Sequence, residues 1–169
     1  MEGRLMKATD LLKKDHAEVK KLFTEFNRAG QRAGRKRQQL VERIGEELEV
    51  HARIEEEIFY PAVRQVEEGR ELVQEARHEH DEVKKMLAEI RRMEPDSEEL
   101  AGRVKELKQA VEHHVKEEEG EMFRQARQLG AEELLRLGEQ LRQRKTELMG
   151  GARQRGRRPA ARRSTRKAA

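Results

Sequence analysis

Residues 50–61, VHARIEEEIFYP, place His51 and Glu55 four positions apart in a run that reads as helix. On a helix, residues i and i+4 lie one above the other on the same face. A neutral imidazole nitrogen and a carboxylate oxygen can therefore converge on one metal ion. In a chain this rich in Glu, one such pair has little weight. The chain repeats it: residues 114–124, HVKEEEGEMFR, carry His114 and Glu118 at the same spacing, with Met122-Phe123 where the first copy has Phe59-Tyr60.

The repeat extends upstream. DHAEVKKLF at 15–23 matches EHDEVKKML at 79–87, so His16 and His80 stand 64 residues apart, and His51 and His114 stand 63 apart. The chain is thus two copies of a helical hairpin. Each copy offers one His from its first helix and a His plus a Glu from its second.

Apolar residues at helical spacing outline four helices. The first is expected to start after Thr9 or Asp10, to carry Leu12, His16, Val19, Phe23 and Phe26 on one stripe, and to fade at Ala29-Gly30. The second carries Ile44, Leu48, His51, Glu55 and Phe59, with Pro61 expected to kink or interrupt it. The third runs through Val73, Ala76, His80, Val83 and Leu87. The fourth should be capped by Asp96 or Ser97, Asp96 with Glu99 fitting a capping box, and carries Leu107, Val111, His114, Glu118 and Met122 up to a glycine cap at Gly130. His16 lies about 13 residues before its turn and His51 roughly 15 after it, so at ~1.5 Å per residue the two are nearly level. The predicted fold is all-α: an up-down-up-down four-helix bundle over residues 1–130 with one His per helix in a common layer.

A short accessory amphipathic helix is expected at 131–149, with Leu134, Leu137, Leu141 and Leu148 on its inner side. Residues 150–169, GGARQRGRRPAARRSTRKAA, have almost nothing to bury and read as a disordered Arg-rich tail. The tail holds eight basic residues and no acid: Arg153, Arg155, Arg157, Arg158, Arg162, Arg163, Arg166 and Lys167. Removing those eight from the 38 Lys and Arg leaves 30 against 34 acidic residues in the body. A basic tail on an acidic domain makes nucleic acid or another polyanion a candidate partner, bound through counterion release without sequence specificity.

Composition narrows the chemistry. There is no Cys, which removes disulfides, thiolate metal sites and cysteine nucleophiles. Charged residues make up 43% of the chain, and no run approaches the ~20 apolar residues of a membrane span. The amino terminus has no apolar signal stretch, so the expected location is cytoplasmic.

A single His on an apolar stripe is ordinarily a core histidine with a hydrogen-bond partner. Four of them, one per helix, with two carboxylates in the same core layer, change that balance. Burying unpaired carboxylates costs several kcal/mol each unless something compensates. His16, His51, Glu55, His80, His114 and Glu118 are therefore the candidate metal ligands. His78 and His113 lie off their stripes and read as surface residues, and Glu56, Glu57, Glu117 and Glu119 read as an ordinary solvated face. For Tyr60, packing and a hydrogen bond to the site are both open.

The motifs DHAEVKKLF, HARIEEEIFYP, EHDEVKKML and HHVKEEEGEMFR together resemble the hemerythrin-like HHE cation-binding domain, bacterial type, over about residues 8–128. The resemblance implies a non-haem di-iron centre in a four-helix bundle, with His16, His51, His80 and His114 as terminal ligands and Glu55 and Glu118 as bridges. Oxygen carriers of the family use a further His on the third helix, where this chain has Ala76 or Lys84, and a His-to-Asp spacing in the last helix that differs from His114 and Glu118 here. The implied function is binding or sensing of O2, NO or peroxide, or iron buffering, with manganese and zinc as alternative metals. Two rival readings stand beside it. One is a di-iron oxidase or peroxidase-like enzyme, ranked lower because no dedicated acid–base group beyond Tyr60 and the nearby Glu stands out. The other is a metal-free structural bundle whose tail binds nucleic acid.

Overall fold

The computed structural model describes residues 4–156. It contains five helices in chain order and, among the described residues, no strand. Helix α1 is Ala8–Arg28. Helix α2 is Gly34–Ile54, continued by a π turn Glu55–Phe59 and an α-helical turn Tyr60–Val63. Helix α3 is Gly69–Ile90. Helix α4 is Glu98–Glu117, continued by a π turn Glu118–Met122, then Phe123–Ala126 and a 3-10 turn Arg127–Leu129. Helix α5 is Ala131–Gly156. The first four form the up-down-up-down bundle, and α5 packs against α1 and α2.

The helix ends follow local chemistry, with some differences from the sequence reading. Helix α1 begins at Ala8 after an extended Lys7, so Thr9 and Asp10 lie inside its first turn and cap nothing. Asp10 there still meets the positive end of the helix dipole. At α4, Ser97 is the cap: its Oγ accepts from the Leu100 N–H at 3.1 Å, which leaves no role for an Asp96–Glu99 box. Gly130 closes α4 with φ 90°, a conformation that glycine adopts without a Cβ clash. Pro61 does not break α2. It falls in the first turn after the π segment, where a missing N–H is tolerated.

Two apolar clusters fill the bundle, one on each side of a polar layer. Leu12, Ile54, Phe59, Tyr60, Val63, Ala76, Met122 and Phe123 belong to the cluster at one end. Val19, Phe23, Leu48, Leu87, Leu107 and Val111 belong to the other. The histidines stand at the boundary. His16 lies between Leu12 and Val19 on α1, and His114 between Val111 and Met122 on α4.

Helix α5 is longer than the expected 131–149 and carries its helical backbone into the stretch read as tail, so Gly150–Gly156 are helical. Leu134, Leu137 and Leu141 are buried in the first cluster. Gly138 lets α5 cross the chain ahead of α1: a Cβ there would lie 1.9 Å from the Met6 carbonyl oxygen. Leu141 is fully buried, so Leu141→Ala should destabilise the protein by about 2–5 kcal/mol through lost contact and residual cavity. The drop is read from the midpoint of urea unfolding, with the helix content of the folded baseline unchanged.

Among the described residues no helix is long and apolar enough to cross a membrane. Arg153 and Arg155 lie on the backbone of α5. The remaining candidate polyanion-binding residues, Arg157, Arg158, Arg162, Arg163, Arg166 and Lys167, lie outside the described residues.

Candidate metal centre

The bundle brings all six candidate ligands into the layer between its two apolar clusters. His16, His51, Glu55, His80, His114 and Glu118 are each buried, and Glu55 has no exposed surface. The four imidazoles turn their Nε2 atoms inward. His16 and His51 face each other with Nε2 atoms 3.0 Å apart, and His80 and His114 with theirs 3.3 Å apart.

The two carboxylates lie between these pairs. Glu55 Oε1 is 2.8 Å from His51 Nε2, and its Oε2 is 3.1 Å from His80 Nε2. Glu118 Oε1 is 3.3 Å from His16 Nε2, and its Oε2 is 3.4 Å from His114 Nε2. Each carboxylate thus divides its oxygens between the His16–His51 pair and the His80–His114 pair. Two groups of donors follow, His16, His51, Glu55 and Glu118 in one and Glu55, His80 and His114 in the other, each with its donor atoms within 4.8 Å of one another.

The donors fit a pair of cations. Atoms bound cis to one ion at about 2.0–2.2 Å stand near 3 Å apart, the spacing seen here. The Oε1 atoms of Glu55 and Glu118 are buried without a hydrogen-bond partner. Buried carboxylate oxygens in that state are costly, and two facing imidazole nitrogens need a proton or a metal between their lone pairs. Imidazole and carboxylate suit divalent iron, manganese and zinc alike.

The outer nitrogens of the rings make a further set of contacts. His51 Nδ1 donates to Asp15 Oδ2 at 3.3 Å, His80 Nδ1 to Glu56 Oε1 at 2.9 Å, and His114 Nδ1 to Glu79 Oε2 at 2.6 Å. A carboxylate only accepts, so each contact puts the ring proton on Nδ1 and leaves Nε2 free to bind metal. His16 Nδ1 faces Glu119 Oε1 at 3.4 Å without forming a hydrogen bond.

These carboxylates correct the sequence reading. Glu56 and Glu119 are not simply solvated. They are partly buried and turn toward ring nitrogens. Asp15 and Glu79 were not singled out at all, although a signal was present. Each immediately precedes the lone His of its copy, and the acid is kept in both halves of the repeat. Glu57 and Glu117 are exposed as expected. Glu57 pairs with Arg53 and Arg144, and Glu117 with His113. His78 and His113 also lie on the surface, with side chains 73% and 64% exposed.

The two candidate carboxylates open the two π turns. Glu55 is the first residue of one and Glu118 of the other, where Tyr60 and Phe123 N–H groups reach back to the Glu55 and Glu118 carbonyls. Such turns recur at functional sites. Pro61 does not cause them, because the second copy has Arg124 in its place.

Inside the layer the halves differ at a hydroxyl. Tyr60 Oη donates to Glu118 Oε2 at 2.8 Å and lies 3.1 Å from Glu55 Oε2 and 3.2 Å from His80 Nε2. Its counterpart Phe123 has no hydroxyl and stacks on His16 with centroids 6.3 Å apart. Tyr60 therefore serves the site as well as the core. Burial, with the carboxylates of Glu118 and Glu55 beside it, raises its pKa well above the usual value and keeps it a donor.

Without metal, protons balance the carboxylates. Burial works against a charge on His51, but Glu55 and Asp15 override it and lift its pKa to about 10. His80 and His114 are raised for the same reason, against burial, by Glu55 and Glu56 and by Glu118 and Glu79. Glu55 is held well below the ordinary carboxylate value: burial opposes this, and His51 and His80 prevail. Helix α5 adds a charge from outside, with Lys145 Nζ 2.7 Å from Asp15 Oδ1. It also anchors the π turn of α2, where Arg144 holds Glu57 at 2.7 and 3.3 Å.

The family description "Hemerythrin HHE cation binding domain" matches residues 7–126, so all six buried ligand candidates fall inside it and α5 outside. A DNA nickase of Nostoc sp. is 35% identical over 118 residues, which cover 70% of this chain and 33% of the nickase. An uncharacterised hemerythrin-like protein of Schizosaccharomyces pombe is 29% identical over 120 residues, 69% of this chain and 57% of that protein. The chain thus spans a third to somewhat over half of these relatives. The crystal structure of a hemerythrin HHE cation binding domain-containing protein from Mycobacterium kansasii superposes with a TM-score of 0.75 at 25% identity, covering 90% of this chain and 93% of that one.

Proposed function

Because the chain belongs to the hemerythrin HHE cation-binding family, we propose that its buried layer holds two iron ions and serves to bind or sense O2, NO or peroxide, or to buffer iron. One observation carries the reading: Glu55 and Glu118 each direct one oxygen to the His16–His51 pair and the other to the His80–His114 pair. Two carboxylates shared in this way would suit two ions: Glu55 and Glu118 would hold both in common, and the four histidines would complete the set. Iron held there would supply open coordination positions and a couple between Fe(II) and Fe(III).

The chain's own residues do the rest. Asp15, Glu56 and Glu79 fix the ring tautomers, so that each Nε2 points at the layer with its lone pair. The clusters above and below keep bulk water away. Tyr60 holds a proton at Oη beside Glu118, Glu55 and His80, positioned to donate to a ligand on that side. A proton at that place is also what an oxidase or peroxidase-like reaction needs, and turnover of peroxide with an added electron donor separates catalysis from binding. For the principal reading, the test is metal content by mass spectrometry on anaerobically purified protein. About two irons per chain are expected. Failure to take up metal after reconstitution with Fe(II), Mn(II) and Zn(II) would remove the reading.

A second reading concerns the basic tail. One relative is named for action on DNA, and residues 157–169 carry six basic side chains and no acid. We propose weak, salt-dependent association with nucleic acid through this segment. Deleting 157–169 should lower DNA affinity several-fold at low salt and flatten its salt dependence. An unchanged binding curve would exclude it.

A further inference from the structure

A cleft of about 460 Å³ runs along the outside of the bundle between α1 and α4, past one edge of the metal layer. Its size lies in the range of small-molecule sites, roughly 300–1,000 Å³. The two ends differ chemically. One end is formed by Lys13, His16 and Glu119, the other by Val19, Phe23 and Val111, with Lys20, Val115 and Lys116 between. The cleft is thus apolar along its floor and basic along its rim.

Three observations bear on what fits there. Lys13, Lys20 and Lys116 are exposed and, among the described residues, make no ion pair. Of the two acids on the same walls, Glu112 pairs with Lys108 at 3.4 Å, and Glu119 turns toward His16 Nδ1 at 3.4 Å within the cleft. The cleft therefore carries more positive than negative charge over an apolar floor. At its polar end, buried His16 has an Nδ1 atom with no hydrogen-bond partner, in contrast to the bonded Nδ1 atoms of His51, His80 and His114. From Lys13 to Phe23 the cleft follows ten residues of α1, or about 15 Å at ~1.5 Å per residue.

We propose that this cleft binds a linear amphipathic carboxylate of the fatty-acid type. The head group meets Lys13 and Lys116, with Lys20 over the middle of the chain. The tail lies along Val115, Val111, Val19 and Phe23. A cationic or purely polar solute gains nothing from this combination, and a neutral hydrocarbon leaves the three ammonium groups unanswered. The site lies on the outer face of α1 and α4, and its ligand touches none of the inner nitrogens.

The test is isothermal titration of the full-length protein with decanoate, set against octanoate, acetate and decyltrimethylammonium. Decanoate should bind saturably at one per chain. Octanoate should bind roughly two- to fourfold more weakly per methylene removed, acetate and the cation with no measurable affinity. Lys20→Glu with Lys116→Glu, both at exposed positions, should weaken decanoate at least tenfold while leaving the circular dichroism spectrum and metal content unchanged. No saturable decanoate binding, equal binding of decyltrimethylammonium, or wild-type affinity in the double variant would each overturn the proposal. Because metal content is measured on the same samples, failure here leaves the metal reading standing.

Discussion

Glu55→Ala should leave a protein that no longer holds a pair of metal ions. Glu55 is the one carboxylate that belongs to both donor groups, and it has no exposed surface. Removing it takes an oxygen from each ion at once and leaves His51 and His80 without their closest inner anion. Glu118 can still bridge, but the second group is then reduced to two imidazoles and one carboxylate oxygen. Metal content should fall from about two ions per chain to at most one, with apparent affinity lower by more than about 100-fold, the upper range for loss of a supporting contact. Competition with a chelator reads this directly. Glu56→Gln is the control: Glu56 contacts the outer nitrogen of His80 and Lys84 but no inner nitrogen, so affinity should fall by roughly 10–100-fold with two ions still bound at saturation. Two ions retained at wild-type affinity in Glu55→Ala would show that the ions are not held through Glu55, and the shared-carboxylate reading of this layer would fall.

The variant is expected to fold even without metal. Losing one partner of a buried pair costs up to about 3–5 kcal/mol, and His51 and His80 limit that cost by giving up the protons that Glu55 stabilised. The loss of binding can therefore be separated from loss of structure by circular dichroism at matched temperature.

The inner layer was legible in the sequence because it is written twice. His16 and His80, and the pairs His51–Glu55 and His114–Glu118, are local spacings on single helices, and the helical period fixes their faces. The outer carboxylates were less legible because their contacts cross helices. Whether Asp15 reaches His51, or Glu79 reaches His114, depends on how two neighbouring helices rotate about their axes, which no period records. The π turns escaped for a related reason. One extra residue per turn does not break an apolar stripe enough to be seen, yet it changes the facing of the segment that follows Glu55 and Glu118. Tyr60 follows that change and ends among the donors, where packing alone had been an equal expectation. Helix α5 outran its expected end, which rested on the lack of large apolar residues in the sequence beyond Met149. The Leu134, Leu137 and Leu141 side chains anchor its first half, and the backbone continues to Gly156.

Acid and base should act in opposite directions on the metal-free and metal-bound forms. In the metal-free protein His51 has a pKa of about 10, against 6.5 as its ordinary value. A group whose pKa rises on folding stabilises the fold fully below its unfolded pKa, and that stabilisation is lost as pH rises through the folded one. For His51 the loss spans pH 6.5 to about 10 and amounts to up to about 5 kcal/mol, at 1.36 kcal/mol per pKa unit. His80 and His114, raised in the same direction, add to it. Glu55, lowered by folding, contributes above its ordinary 4.5 and loses that contribution only as pH falls through its depressed folded value. The metal-free bundle should therefore be most stable between about pH 4.5 and 6.5 and weaken steadily toward pH 10. Metal reverses the trend, because an ion can bind Nε2 only where a proton has left. Apparent affinity should rise about tenfold per pH unit for each proton displaced, and two displaced protons make about 10,000-fold between pH 6 and pH 8. Urea midpoints across pH, with chelator and with saturating metal, check both halves. The expected curves fall with pH in the first case and hold or rise in the second. Parallel curves would mean that the buried histidines carry no proton for the metal to displace, and the ion-for-proton exchange at this layer would have to be abandoned.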